Sequence, residues 1–156
     1  MKSKFLKGVP VLAGTLMCVL VAASGTALAA DQIAQPVNID QNSFPDSAFR
    51  QYVSTVADAD HNNSLSESEI KSITSINLRG TGVENLTGIE KFTGLRTLDC
   101  SNNKLKKLNL SGNTLLETVN ASGNDIVEAE LSKNASLMNL DLSENELTKV
   151  DLKECK

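Results

Sequence analysis

The chain has 156 residues, of which 40% are hydrophobic and only 3% aromatic, with 19 acidic against 15 basic side chains and a formal net charge of −4. An acidic balance argues against nucleic acid or an anionic membrane surface as the partner. With four Phe, one Tyr and no Trp, the composition suits a stack of small repeated units better than one thick globular core.

Residues 1–29 read as an export signal. Lys2, Lys4 and Lys7 form a basic start, Val9 to Ala23 is an apolar run, and Ala27-Leu28-Ala29 is a small-residue cleavage site ahead of Ala30 and Asp31. A spanning helix needs about 20 apolar residues, and this run is shorter. The expectation is therefore export, with no membrane insertion after cleavage. Cleavage would remove three lysines and no acid, leaving 12 basic and 19 acidic residues and a net charge of −7.

A polar leader follows over residues 30–43, and then the period turns helical. Phe49, Tyr52, Val53 and Val56 fall at i, i+3, i+4 and i+7, giving one apolar face that would dock on the element after it. Pro45 suits the first helical position and Asp46 complements the positive helix start. Residues 44–72 thus read as a helix-loop-helix cap.

The loop of that cap, Asp58 to Glu69, carries oxygen side chains at alternate positions. It fits the twelve-residue calcium loop of an EF-hand. Asp58, Asp60, Asn62 and Ser66 stand at positions 1, 3, 5 and 9, Ser64 offers a backbone carbonyl at 7, and Glu69 is the bidentate carboxylate at 12. Position 6 is Asn63, where glycine is usual; asparagine tolerates the left-handed backbone better than other side chains do. Ser66-Glu67-Ser68-Glu69 is also a helix capping box, which accounts for Ser66 and Glu69 without a metal. It does not account for Asp58, Asp60 and Asn62, so the expected cofactor is one Ca2+ ion.

From residue 73 to 156 a 21-residue repeat takes over. Asn103, Asn124 and Asn145 recur inside the frame Leu-x-x-Leu-x-Leu-x-x-Asn-x-Leu, filled by Leu95, Leu98, Cys100 and Leu105, then Leu116, Val119, Ala121 and Ile126, then Leu137, Leu140, Leu142 and Leu147. This is the pattern of a leucine-rich repeat solenoid, in which each coil lays one short parallel strand on its neighbour. The opening coil is irregular: Thr81 stands in the asparagine slot, and Leu86 to Phe92 reads as a helical turn. An internal echo adds Asn113 and Asn134, with Cys155 next in that series. Both halves of the later coils are therefore expected to be extended, in a flattened stack. The expected fold class is α+β, a solenoid of short parallel strands behind a small helical cap.

The five asparagines, Asn103, Asn113, Asn124, Asn134 and Asn145, are expected to form a structural ladder, their carboxamides satisfying corner backbone groups of the coils above and below. Cys100 and Cys155 lie more than two coils apart. At about 4.8 Å per coil that separation exceeds the ~7 Å Cα limit for a disulfide, so both read as buried or half-buried thiols.

Alternation assigns the outward side chains. Asn77, Asp99, Asn120 and Asp141 form one column, flanked by Ser75, Thr97, Thr118 and Asn139 on one side and Arg79, Ser101, Ser122 and Ser143 on the other. Of these, Asn77, Arg79, Thr97, Asp99, Thr118, Asn120, Asn139 and Asp141 are the candidate partner-binding residues. The opposite face offers Lys107, Asn109, Glu128, Glu130, Lys149 and Asp151. The last coil stops before its final apolar slot, which suggests either a truncated form of a longer protein or closure by another chain through self-association.

Phe44-Pro45-Asp46, Phe49-Arg50-Gln51-Tyr52-Val53, the calcium-type loop, Leu86 to Phe92 and Leu98-Asp99-Cys100-Ser101-Asn102-Asn103 together resemble a family of secreted bacterial leucine-rich repeat proteins, internalin-like in the broad sense. The resemblance implies a secreted or surface-held bacterial protein that recognises an extracellular protein or glycan. A structural spacer within a longer surface protein is the alternative. Enzymatic readings find no support: His61 sits at a variable position of the loop, and no phosphate loop, zinc spacing or nucleophile elbow is present.

Overall fold

The computed structural model describes residues 35–155. The export signal read at residues 1–29 and the first part of the leader, 30–34, lie outside the described residues, as does Lys156.

The described chain opens with a two-residue strand, β1 (Val37–Asn38), and the helix α1 (Ser47–Tyr52). The Asp46 carboxylate accepts the Phe49 amide at 2.9 Å, which makes Asp46 the N-cap. Pro45 therefore lies one residue before the cap and not at the first helical position. The other Asp46 oxygen accepts the amides of Glu84 and Asn85 at 2.8 and 3.2 Å, so one side chain ties the helix start to the first coil.

The helix then widens into a π-helical turn, Val53–Ala57, in which the Asp58 amide reaches back five residues to the Val53 carbonyl. The widening rotates the end of the apolar face by one residue. Phe49 and Val53 are buried as the spacing predicts, but Ala57 takes the last inward place and Val56 is 52% exposed. The same rotation carries Asp58 inward to 1% exposure. After the loop come β2 (Ser64–Leu65), antiparallel to β1, and α2 (Glu67–Ser72), which starts from the expected capping box.

The solenoid consists of two parallel sheets. One holds β3 (Ser75–Asn77), β4 (Thr97–Asp99), β6 (Thr118–Asn120) and β8 (Asn139–Asp141); the other holds β5 (Lys107–Asn109), β7 (Glu128–Glu130) and β9 (Lys149–Asp151). The register follows the repeat: Thr97 pairs with Thr118 and Thr118 with Asn139, while Lys107 pairs with Glu128 and Glu128 with Lys149. The second sheet begins one coil later than the first, because the opening coil forms no strand there and turns instead into a 3-10 helix, Ile89–Lys91.

Between the sheets the repeat leucines stack. Leu95, Leu98, Leu105, Leu108 and Leu110 of one coil, and Leu116, Val119, Ile126 and Leu131 of the next, are essentially buried. Each such side chain contributes roughly 1.5–3 kcal/mol by leaving water. Phe44, Phe49 and Phe92, with ring centroids 5.7 to 6.4 Å apart, join the cap to the first coil. Among the described residues no helix is long and apolar enough to cross a membrane.

Candidate functional site

The oxygen-rich loop folds on its own amides. Asp58 accepts from the amides of Asn62 and Asn63 at 3.1 and 2.9 Å, and Asp60 from the Asn62 amide and carboxamide at 3.2 and 2.7 Å. Asn62 Oδ1 accepts from the Ser64 amide and hydroxyl. These turns require left-handed backbone at His61 (φ 57°) and Asn63 (φ 63°), where a short polar side chain is tolerated. Glu69 closes the loop: Oε1 accepts the Ala59 amide, and Oε2 accepts the Ser66 amide and hydroxyl. The Ser66 bonds are the main cause that holds the Glu69 carboxyl below its ordinary value.

Carboxylate oxygens of Asp58, Asp60 and Glu69 all lie within 4.8 Å of one another. Two ligands on opposite sides of a Ca2+ ion, each at ~2.4 Å, stand about that far apart. The donors are hard oxygens only, one carboxylate is buried, and among the described residues no Lys or Arg forms an ion pair with any of the three. Converging carboxylates without a neutralising cation repel one another and lose hydration. The residues therefore fit a hard divalent cation. Asn62, Ser64 and Ser66 lie on the same loop, with Asn62 Oδ1 and the Ser66 hydroxyl already engaged with neighbouring groups of the loop. His61 is exposed.

The asparagine corners form two ladders that differ. Asn103, Asn124 and Asn145 use both ends of the carboxamide. Asn124 Nδ2 donates to the carbonyls of Cys100 and Ala121, and its Oδ1 accepts the Leu105 amide at 3.0 Å. Asn103 accepts from Gly82 and Val83, and Asn145 from Ile126. Each therefore serves its own coil and the one before it, and not the coils on both sides. On the other ladder Asn113 and Asn134 donate to the preceding coil, but their buried Oδ1 atoms have no partner among the described residues. Cys155 holds the next place, its thiol 3.4 Å from the Leu131 carbonyl and 3.6 Å from that of Asn134. Cys100 is buried between the sheets, which, with the Asp99 charge, pushes its thiol up to about 12. Both cysteines are free thiols.

The candidate binding column is part of the strand ends. Oδ1 of Asn77, Asp99, Asn120 and Asp141 each accepts the amide two residues on, at Arg79, Ser101, Ser122 and Ser143. These Asx turns fix the column's geometry and leave only the second polar atom of each side chain to face outward. Thr97, Thr118 and Asn139 form the neighbouring column, in which Asn139 Nδ2 donates to Thr118 Oγ1 at 3.4 Å. Sequence reasoning missed the turns, although the recurring Asx-x-Ser spacing was their signal. It also missed a groove of about 560 Å³ between the opening coil and β5, lined by Leu86, Ile89, Lys107, Asn109 and Ser111 among others.

No family model matches the chain. Internalin J of Listeria monocytogenes, serotype 4b strain F2365, is 35% identical over 71 residues, which is 46% of this chain and 8% of that protein. The solved functional domain of InlJ from Listeria monocytogenes, which includes a cysteine ladder, superposes with a TM-score of 0.69 at 29% identity over 78% of this chain and 27% of that one. The internalin InlF from strain 4b F2365 superposes with a TM-score of 0.63 at 23% identity, over 76% and 39% of the two chains, a likeness of fold alone. The fold is a leucine-rich repeat solenoid. The chain spans less than a tenth of the curated relative and well under half of each solved chain.

Proposed function

We propose that the chain is an exported, calcium-stabilised recognition module and not an enzyme. The sheet of β3, β4, β6 and β8 presents Asn77, Arg79, Thr97, Asp99, Thr118, Asn120, Asn139 and Asp141 to an extracellular protein or glycan. The observation that carries this reading is the unbroken parallel register, which stacks equivalent side chains of successive coils into continuous columns at strand spacing. The likeness to the InlJ functional domain supports it. Polar columns fixed by Asx turns form a rigid surface, which lowers the ordering cost of binding.

The calcium part of the reading rests on the three converging carboxylates. A bound ion would neutralise their repulsion and hold Asp58, at the end of the π turn, to Glu69 on α2, locking the cap over the first coil. Any ligand that binds only the folded chain adds stability by mass action, about 2.7 kcal/mol at 100 times its Kd.

Thermal unfolding with excess calcium and with chelator tests this. The melting temperature should rise with calcium, and Asp58→Ala and Glu69→Ala should each abolish the rise. A folded protein indifferent to calcium would reduce Glu69 to its capping role. Arrays of extracellular proteins and glycans test the surface: Thr118→Arg should remove whatever binding the wild type gives, and binding that survives it would move the site elsewhere.

A further inference from the structure

We infer that the free edge of β5 and the groove beside it form a second docking site, which takes an extended acidic peptide segment of a partner protein as an added strand. This surface lies on the other sheet from the columns described above and does not depend on them.

Among the described residues the second sheet starts at β5, so this strand is hydrogen-bonded on one side only, to β7. The opening coil crosses the other side without a strand. Its 3-10 helix packs on the turn after β5 and faces the strand itself across the groove. Asn113 donates to the carbonyls of Ile89 and Phe92, and a Cβ on Gly112 would sit 2.6 Å from Glu90 Cβ. Contact is therefore tight at residues 112–113 and opens alongside Lys107, Asn109 and Ser111 into the groove of about 560 Å³. That volume falls within the ~300–1,000 Å³ of ordinary ligand sites.

The backbone faces the same way. Leu110 donates to the Glu130 carbonyl, and the Lys106 carbonyl accepts from Val127. Even-numbered residues thus bond toward the following coil, and by strand alternation Lys107 and Asn109 direct their amides and carbonyls into the groove. A peptide backbone has donors and acceptors at matching spacing; the hydroxyls of a glycan do not. Edge strands left open in this way are templates for strand addition.

The side chains specify what is added. The outward row on this sheet alternates in sign, Lys107, Glu128, Lys149, with Lys107 Nζ 3.5 Å from Glu128. A residue on the free side of Lys107, whose side chain is 78% exposed, continues that alternation if it is acidic, since the carboxylate that also lines the groove, Glu90, is already engaged by the Gly88 amide at 2.8 Å and by Lys91 Nζ at 3.8 Å. The next residue turns inward toward Leu86 and Ile89 and must be small and apolar. The third lies beside Asn109 and is polar. Glu128-Ala129-Glu130 satisfies this pattern on the other edge of the same strand.

A labelled peptide reproducing residues 124–132 is therefore the probe, titrated into the full chain. Saturable binding is expected, with amide shift changes and slowed exchange at Lys107 and Asn109. Lys107→Glu should weaken binding about tenfold, and a peptide carrying Glu128→Lys should regain it on that variant. Lys107→Pro, which removes an edge donor, should abolish binding; if that variant misfolds, the charge swap decides. Absence of saturable binding, shift changes confined to β9 or to the β3 sheet, or equal affinity for Lys107→Glu would overturn the inference.

Discussion

Asn124 and Asn134 are the same residue type at equivalent corners of the coil, yet they do different work. Asn124 accepts the Leu105 amide and donates to three carbonyls, whereas Asn134 only donates. The nearby amides on the second ladder are already used in turns, Leu116 to the Asn113 carbonyl and Leu137 to that of Asn134. A slot that needs only a donor can take a thiol, and Cys155 sits in the next such slot. Asn134→Cys should therefore change the unfolding free energy by less than about 1 kcal/mol, since it also removes an orphaned oxygen. Asn124→Cys should cost about 1–3 kcal/mol by stranding the Leu105 amide. Urea denaturation of the pair measures the difference, and equal losses would refute the distinction. The sequence showed both ladders as one series; which end of each carboxamide is used depends on turns that the series does not encode.

At the scale of elements, the cap holds to the solenoid through a few close contacts. Gly88, at the start of the 3-10 helix, has φ of 102°, and a Cβ there would lie 2.4 Å from Phe44 Cδ1 and 2.6 Å from the Ser43 carbonyl. Phe44 is fully buried among Phe49 and Phe92, so it has nowhere to move. Gly88→Ala should destabilise by about 2 kcal/mol or more, through backbone strain and overpacking together. Chemical denaturation of the variant, compared with Gly80→Ala, separates the causes: Gly80 has φ of 64° but open space around it, and should lose less. The cap's helix and its apolar spacing were legible in the sequence. The π turn was not, because Val56 and Ala57 are both apolar, and which of them turns inward follows from how α1 must meet the first coil.

Across the whole molecule, burial falls along the stack. Leu98 and Val119 are sealed between neighbouring coils, Leu140 and Leu142 are partly exposed, and Val150 and Leu152 are 39% and 43% exposed. In a solenoid each coil draws stability from its neighbours, so opening should be easiest where the side chains are least buried. Hydrogen exchange should show the strongest protection at β4 and β6 and the weakest at β8 and β9. Uniform protection along the described strands would contradict the gradient.

The sequence by itself determined the period, the strand positions and the inward leucines, because a repeat that buries apolar residues only against its own copies must state its geometry in every copy. It also placed the oxygen donors of the loop, since their alternate spacing is local. The tertiary structure decided what depends on neighbours in space. It turned Asp58 inward through the π turn and left β5 paired on one side only among the described residues, beside a groove. Each of these depends on how a segment meets a surface many residues away, and no local pattern specifies that meeting.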